Sequence, residues 1–444
     1  MHRKERQHPA IVDPQTCRAG CTCGRQHPTP RTTLFSGEDA LRIMAEDCRA
    51  VYGQSPVLLL SDPETDVVAG STLREELHKN EVSLEHYLLE NKPVATDHLV
   101  EKIQKVSRDK VLIISVGSGT VNDLGKYAAD RNGIDFWTLP TAPSMNGYTS
   151  GIAAIKVKGV KRTLPAAPPR RIYVLPQVIR HAPLKLRQAG FCDVLAKVVS
   201  DVDWQCESLL VSDSYCGLPA AMMALVEKTY SETPEAIGRG EEDAVMGLFN
   251  GLLLSGVAMS LAGSSAPASG GEHLVSHFWD MRESITGREP ELHGLQVGMG
   301  IILATACYRR LAQLAKTDLR SQAEKIFSDT AARIPEIWGP YGDEVARQFS
   351  NKRAALLRFD TLLPHHWDTL QRLFHQVRSP EYFADLFSRT GAPFKLQAFG
   401  LTKEEFLLAA INSRAIRDRI TVLDLAAHGQ VLESAAEDAL HLLS

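Results

Sequence analysis

Two histidines four residues apart, His273 and His277 in GGEHLVSHFWDM, share one face of any helix that carries them. A third, His293, opens LHGLQVGMG, and Asp193 and Lys197 in AGFCDVLAK share a face on an earlier helix. One carboxylate and two imidazoles make a three-ligand site that leaves a coordination position open for a substrate oxygen. A divalent ion held in this way is a Lewis acid that stabilises the alkoxide from which a hydride departs. A further histidine beside it can hydrogen-bond substrate or relay a proton. Spacing alone leaves a second account standing, in which these histidines are structural residues of apolar helices.

A second constellation lies earlier. VLIISVGSGTVNDLGKYAAD reads as a strand, a glycine turn and the start of a helix. Gly117 and Gly119 let the backbone approach a phosphate, and the helix N-terminus supplies N–H donors and a favourable dipole. A tight turn without ligand fits the same residues. Asp62 ends an earlier apolar strand, where a carboxylate can accept hydrogen bonds from a ribose diol and would repel a 2′-phosphate. A helix N-cap in SDPETD fits Asp62 equally.

These residues need elements to position them. Apolar runs at Val57–Ser61, Val111–Val116, Phe136–Leu139, Ile152–Val157 and Ile172–Leu175 alternate with helical patterns around Asp66–His78 and Thr120–Asp130. Continuous apolar strands separated by helices imply a parallel sheet covered on both faces, with ligands at the carboxyl ends of its strands. After Pro183 helical spacing takes over, at Leu184–Leu210, Ala220–Tyr230, Asp243–Leu261, His273–Ile285, Leu292–Lys316 and beyond. The expected architecture is an N-terminal extension (1–30), a Rossmann-like α/β nucleotide-binding domain (31–183) and an all-α metal- and substrate-binding domain (184–444).

Bulk properties narrow the classes of function. A length of 444 residues suggests more than one domain, and 44% hydrophobic with 23% charged residues is the balance of a soluble globular protein. A net charge of −4 gives no basic excess for nucleic acid. The N-terminus lacks the apolar core of a secretory signal. The most apolar run, Leu248–Gly263, is too short to span a bilayer and reads as a buried helix. Eight cysteines scattered along the chain fit a reducing cytoplasm rather than a disulfide framework.

Seven motifs in order, CTCGRQH, GSGTVND, PTAPSMNGYTS, KGVKRTLPA, GFCDVLAK, SGGEHLVSH and LHGLQVGMG, give the chain a specific likeness over about residues 20–310. It resembles the sn-glycerol-1-phosphate dehydrogenases, in the superfamily that also holds glycerol dehydrogenases, iron-containing alcohol dehydrogenases and dehydroquinate synthases, and looks closest to the bacterial branch. The resemblance implies interconversion of dihydroxyacetone phosphate and sn-glycerol 1-phosphate with NAD or NADP, by a cytoplasmic homo-oligomer. It implies metal ligation by Asp193, His273 and His293, with zinc or nickel as the ion, since imidazole suits both. Catalytic and substrate contacts would come from Asp193, His277, Asn146 and Lys197. Cofactor contacts would come from Asp62, from Gly117, Ser118, Gly119, Thr120, Val121, Asn122 and Asp123, from Thr141, Ala142, Pro143 and Ser144, and from Ser150.

Two departures stand beside this site. The family has Asp where this chain has Asn146, an amide that hydrogen-bonds but cannot take a proton. Cys192 replaces the usual glycine before Asp193, a side chain that crowds cofactor or substrate or offers a thiol near the metal. Lesser signals are Cys17, Cys21, Cys23 and His27, which could coordinate a metal but for which packing is expected, and Lys156, Lys158, Lys161 and Arg162, of which some could meet a substrate phosphate but which are expected on a solvated strand edge. The alternatives to a dehydrogenase are a dehydroquinate-synthase-like cyclase, disfavoured because those enzymes carry Glu at the Asp193 position, and an altered homologue that takes another substrate or senses a nucleotide.

Overall fold

The structure is a computed structural model that describes residues 21–27, 32–212, 214–289, 291–320 and 322–444. Cys17 and most of the expected N-terminal extension lie outside the described residues. The chain groups into two compact units. The first comprises Met1–Lys158, Arg162–Gly190 and Gly217–Ser265, and the second Gly159–Lys161, Phe191–Cys216 and Ala266–Ser444.

The first unit is built on a six-stranded sheet. Its strands are β1 (Thr33–Ser36), β2 (Val57–Ser61), β3 (Leu84–Leu88), β4 (Leu112–Gly117) and β5 (Asp135–Pro140), while β6 (Ile152–Val157) and β7 (Val160–Pro165) stand apart and β8 (Arg171–Val174) completes it. The spatial order is β1-β8-β5-β4-β2-β3, with parallel pairing throughout. Both faces are buried, which is why β2 and β4 read as unbroken apolar runs. Val57 and Leu59 of β2 and Ile114 and Val116 of β4 share a core with Met44 and Cys48 of α1 (Ala40–Tyr52) and Leu73 of α2 (Ser71–Lys79). Leu58, Leu60 and Ile113 point the other way, onto Ile103 of α3 (Asp97–Val106) and Leu124 of α4 (Gly119–Asn132).

Strand order reverses between β2 and β4, because the chain leaves β2 for the edge strand β3 and returns on the opposite side. That is the switch point at which open parallel sheets bind ligands. Asp62 follows β2 there, and the Gly117–Gly119 turn follows β4.

Several expectations change. Ile152–Val157 is a strand, but not part of the six-stranded sheet: it forms a separate two-stranded sheet with β7, and its Lys156 makes an isolated bridge to Thr96. Two residues join them, Lys158 at φ 49° and Gly159 at φ 81°, and two left-handed residues make the turn of an antiparallel hairpin. The polar edge strand β3 (LEHYL) has no clean alternation to announce it. The helical stretch expected at Ala220–Tyr230 is two shorter helices, Leu218–Ala224 and Glu227–Ser231.

Helices fill the rest. α5 (Leu184–Leu210) follows β8, and α6 (Glu242–Ala262) contains the most apolar run. Among the described residues α6 alone is long and apolar enough to cross a membrane, and 89% of its most apolar window is buried inside the structure. In the second unit α7 (Gly271–Thr286) packs along α8 (His293–Ala312), and α9 (Gly342–Phe374) packs against the Ala323–Trp338 helix and α8. The Lys352 ammonium of α9, wholly buried, lies 2.9 Å from Asp424 Oδ2 and donates to Arg414 O at 2.7 Å. A buried charge of this kind persists only when paired and hydrogen-bonded. It ties the chain's final stretch to the helical core.

Candidate functional site

In the second unit, Asp193 of α5, His273 of α7 and His293, the first residue of α8, converge. Each offers one donor atom, and these atoms lie within 4.8 Å of one another. His273 Nε2 stands 3.3 Å from Asp193 Oδ1. The rings of His273 and His293 have centroids 5.1 Å apart, and His277 lies 5.5 Å from His293. Helical periodicity puts His273 and His277 on one face of α7, and that face meets the start of α8.

The far nitrogens of the two imidazoles are held. Glu272 Oε1 lies 2.8 Å from His273 Nδ1 and accepts from Gly270 N at 2.7 Å. Ser276 Oγ donates to Gln296 Oε1 at 2.7 Å and lies 2.7 Å from His293 Nδ1. A hydroxyl has one proton, so with Ser276 donating to Gln296 it is His293 Nδ1–H that donates to Ser276. Both rings then present an Nε2 lone pair beside a carboxylate. Such fixing of ring tautomer by outer partners is characteristic of metal-binding histidines. One carboxylate oxygen and two Nε2 atoms suit a divalent ion such as zinc or nickel, so the residues present fit the group that the resemblance implies.

The electrostatics agree. Burial by itself would raise the Asp193 carboxyl, but Lys197, His273 and His293 together hold it well below the usual carboxylate range. Burial, with Lys161 and His273 nearby, pushes His293 down. His277 is pushed down too, by burial and by Arg417 and Lys161. Lys197 donates to Asp193 O at 2.9 Å and Ala268 O at 3.0 Å, and its ammonium is 3.6 Å from Asp193 Oδ1. It is a positive charge fixed behind the carboxylate rather than a group aimed outward.

His277 differs from its neighbours. Arg417 Nη2 lies 2.8 Å from its Nε2, and a guanidinium can only donate, so Nε2 accepts. The ring proton is therefore on Nδ1, a buried atom with no partner among the described residues. Cys192, 2% exposed, turns its sulfur toward α8, where a Cβ on Gly298 would come within 3.1 Å of it. Burial pushes that thiol far up, so it is an inert packing group. Lys161 corrects the expectation of a solvated strand edge: its ammonium lies 2.5 Å from Asp280 Oδ2, with side-chain exposures of 20% and 10%.

In the first unit, β4 closes on Gly117 because a Cβ there would come within 2.5 Å of Val121 on α4. Ser118 sits at the N-cap of α4 without a side-chain cap, so it leaves the first-turn amides of Gly119, Thr120 and Val121 as donors. Asn122 Nδ2 donates to Asp123 Oδ1 at 3.1 Å, and Asp123 Oδ2 accepts from Ala154 N at 3.0 Å. That places Asp123 against β6. Asp62 caps the next turn, accepting from Thr65 N at 2.8 Å through Oδ1.

The Thr141–Ser150 loop has its own framework. Thr141 N donates to Gly117 O at 3.2 Å, and Tyr148 OH to Ala142 O at 2.8 Å. Pro143 is buried, Ser144 and Asn146 half-buried, and Ser150 Oγ donates to Gly147 O at 2.9 Å. Lys126, with no exposure, sends its ammonium from α4 into this loop, 2.6 Å from Gly147 O and 2.8 Å from Ile152 O.

Glu272, Ser276, Gln296, Arg417 and Lys126 were not singled out by spacing. Glu272, directly before His273, was the one in reach, since a carboxylate next to a liganding histidine is a common orienting partner. Arg417 comes 140 residues after His277, and nothing local marks it.

Residues 36–183 match the family model described as iron-containing alcohol dehydrogenase. The glycerol-1-phosphate dehydrogenase [NAD(P)+] of Bacillus velezensis is 30% identical over 410 residues, covering 91% of this chain and 91% of that protein. The protein of the same name from Pyrococcus furiosus is 35% identical over 276 residues, 62% of this chain and 77% of the relative. Among solved structures, a probable glycerol dehydrogenase from Sinorhizobium meliloti superposes with a TM-score of 0.59 at 17% identity, covering 93% of this chain and 99% of that one. An archaeal halo-thermophilic alcohol dehydrogenase from a Red Sea brine pool gives 0.61 at 11% identity, covering 93% and 98%. At those identities the structures speak for the fold.

Proposed function

The chain belongs to the glycerol-1-phosphate dehydrogenase family, and from that premise we propose that it is a metal-dependent NAD(P) oxidoreductase interconverting dihydroxyacetone phosphate and sn-glycerol 1-phosphate. The observation that carries the reading is the convergence of Asp193, His273 and His293, each imidazole fixed by an outer partner. In this reading those three residues hold zinc or nickel. The ion, when bound, supplies Lewis-acid polarisation of the substrate oxygen, and the nicotinamide, when bound, supplies or takes the hydride.

The chain's own residues do the rest. His277 keeps a proton on Nδ1, the atom from which it reaches the reacting oxygen, while Arg417 fixes its other nitrogen and adds a positive charge suited to a phosphoryl group. Lys197 steadies the charge of Asp193. Asn146 donates or accepts a hydrogen bond at a substrate hydroxyl without moving a proton. In the first unit, the uncapped N-terminus of α4 receives the dinucleotide phosphates, and Asp62 receives the ribose diol through the oxygen that Thr65 N leaves free. Thr141–Ser144 and Ser150 line the same cofactor. The sheet unit is thus the nucleotide-binding part and the helical unit the metal- and substrate-binding part of a cytoplasmic homo-oligomer.

The test is nicotinamide absorbance with dihydroxyacetone phosphate, NADH or NADPH, and added zinc or nickel. Oxidation of the nucleotide that depends on both substrate and ion is expected. Tight nucleotide and metal binding without turnover would instead favour an altered homologue, the reading to which Asn146 lends weight, and no metal binding at all would sink both.

A further inference from the structure

Away from the Asp/His/His set, a second donor cluster lies within the first unit. Cys21 Sγ is 3.3 Å from Cys23 Sγ, and His27 Nε2 is 3.2 Å from each of the two sulfurs. The spacing Cys-x-Cys-x3-His brings three donors to one point because the chain reverses at Gly24, whose φ of 72° is left-handed and open to glycine. His27 is 9% exposed, and its Nδ1 lies 3.0 Å from Leu261 O, near the end of α6. A carbonyl can only accept, so Nδ1 carries the ring proton and Nε2 turns a lone pair toward both sulfurs.

We propose that Cys21, Cys23 and His27 bind a zinc ion, a structural site separate from the Asp193 centre. Two sulfurs and one imidazole nitrogen are a soft donor set that selects zinc, whereas the other centre offers oxygen and nitrogen. The separations of 3.2–3.3 Å fall a few tenths of an ångström below the edges of a zinc tetrahedron with bonds of about 2.3 Å to sulfur and about 2.0 Å to nitrogen, so small side-chain rotations admit the ion. The carbonyl of Leu261 is the outer partner that orients the ligand. It belongs to the last turn of a helix, where carbonyls lack helical partners and a nearby cation is favoured by the dipole.

The location gives the ion its role. One residue back, Ser260 Oγ donates to Thr149 O at 3.0 Å, and Thr149 Oγ1 donates to Leu253 O at 2.5 Å. The end of α6 clamped by His27 therefore also supports the Thr141–Ser150 loop. A zinc ion there staples the N-terminal segment to the helix that backs this loop.

Cobalt(II) is the probe, added to the full chain after metal is removed with a chelator. Sulfur ligation gives a thiolate-to-cobalt charge-transfer band, and the Asp193, His273, His293 set has no sulfur to produce one. Failure of either site is thus read independently of the other. The wild-type chain is expected to show the band and to bind one more equivalent of metal than Cys21→Ser/Cys23→Ser, which loses the band. His27→Ala is expected to weaken zinc retention at least tenfold. The proposal falls if the wild-type chain gives no band, if the double variant keeps its full metal content, or if Cys21 and Cys23 of the chain, purified with reductant, are found joined as a disulfide.

Discussion

Glu272 holds His273 from behind: its carboxylate Oε1 lies 2.8 Å from Nδ1, and the opposite nitrogen of the ring faces Asp193 Oδ1 at 3.3 Å. A carboxylate in that position fixes the tautomer and raises the basicity of the ligand nitrogen. Glu272→Gln keeps the shape and removes the charge, and is expected to weaken metal affinity by about 10-fold to 100-fold. His273→Ala should abolish metal content and activity together. Chelator competition and metal analysis measure both, and a His273→Ala chain with full occupancy would overturn the ligand assignment.

The amide at Asn146 suggests a gain rather than a loss. If a carboxylate there orients or deprotonates a substrate hydroxyl, Asn146→Asp is expected to raise the rate with dihydroxyacetone phosphate by about 10-fold or more, the usual scale of a positioned acid–base group being about 100-fold or above. Steady-state kinetics decide it. An unchanged or lower kcat would show that this position does not limit turnover.

Lys126 has no exposure and donates to three carbonyls of the Gly147–Ile152 segment. Burial lowers its pKa, and Asp123, 3.7 Å away, works in the opposite direction. Lys126→Met leaves those carbonyls without their donor, at an expected cost of about 2–4 kcal/mol in stability. Cofactor affinity should fall with it, because the loop is the one assigned to the nucleotide. Urea unfolding and nucleotide titration check the two effects, and a stable variant with unaltered affinity would count against the loop's assignment.

Asp201 supplies a pH dependence. Half-buried and hydrogen-bonded to Gln205 Nε2 at 2.8 Å and Tyr215 OH at 3.1 Å, its carboxyl is pushed up to about 6 by burial, against which those two bonds pull. Between about pH 4 and that value the folded chain keeps the proton while the unfolded chain has lost it. Its contribution to stability is therefore full in acid and is lost as pH rises, amounting to about 2–3 kcal/mol. Asp201→Asn is expected to flatten the decline in urea midpoint between about pH 4 and about pH 7. A slope equal to that of the parent chain would refute this.

What could be read from the sequence follows from where the information is local. β2 and β4 declare themselves because both their faces are buried, and Gly117 and Asp62 are conspicuous because they end those strands. The i, i+4 pair on α7 was visible for the same reason: one helix carries it. Ile152–Val157 reads as a strand of the parallel sheet because an apolar strand looks alike in either sheet, and only the left-handed pair Lys158–Gly159 distinguishes them. β3 escaped because an edge strand with Glu85 and His86 buries too little to leave a pattern. Arg417 and Lys126 were silent because their partners are set by tertiary folding: one meets a ring 140 residues away and the other a loop reached from the next strand.

The hydrogen bond from Ser276 to Gln296 has a sense of travel. Gln296 receives through its oxygen, so deamidation to glutamate would keep an acceptor in place and leave His293 with the same basic nitrogen. Rotating the amide by half a turn would set an NH2 there instead, send the serine's proton to Nδ1 and strip the ring of its lone pair on the Asp193 side. Gln296→Glu is accordingly expected to retain metal and Gln296→Lys to lose it, a contrast that metal analysis of the two proteins would expose.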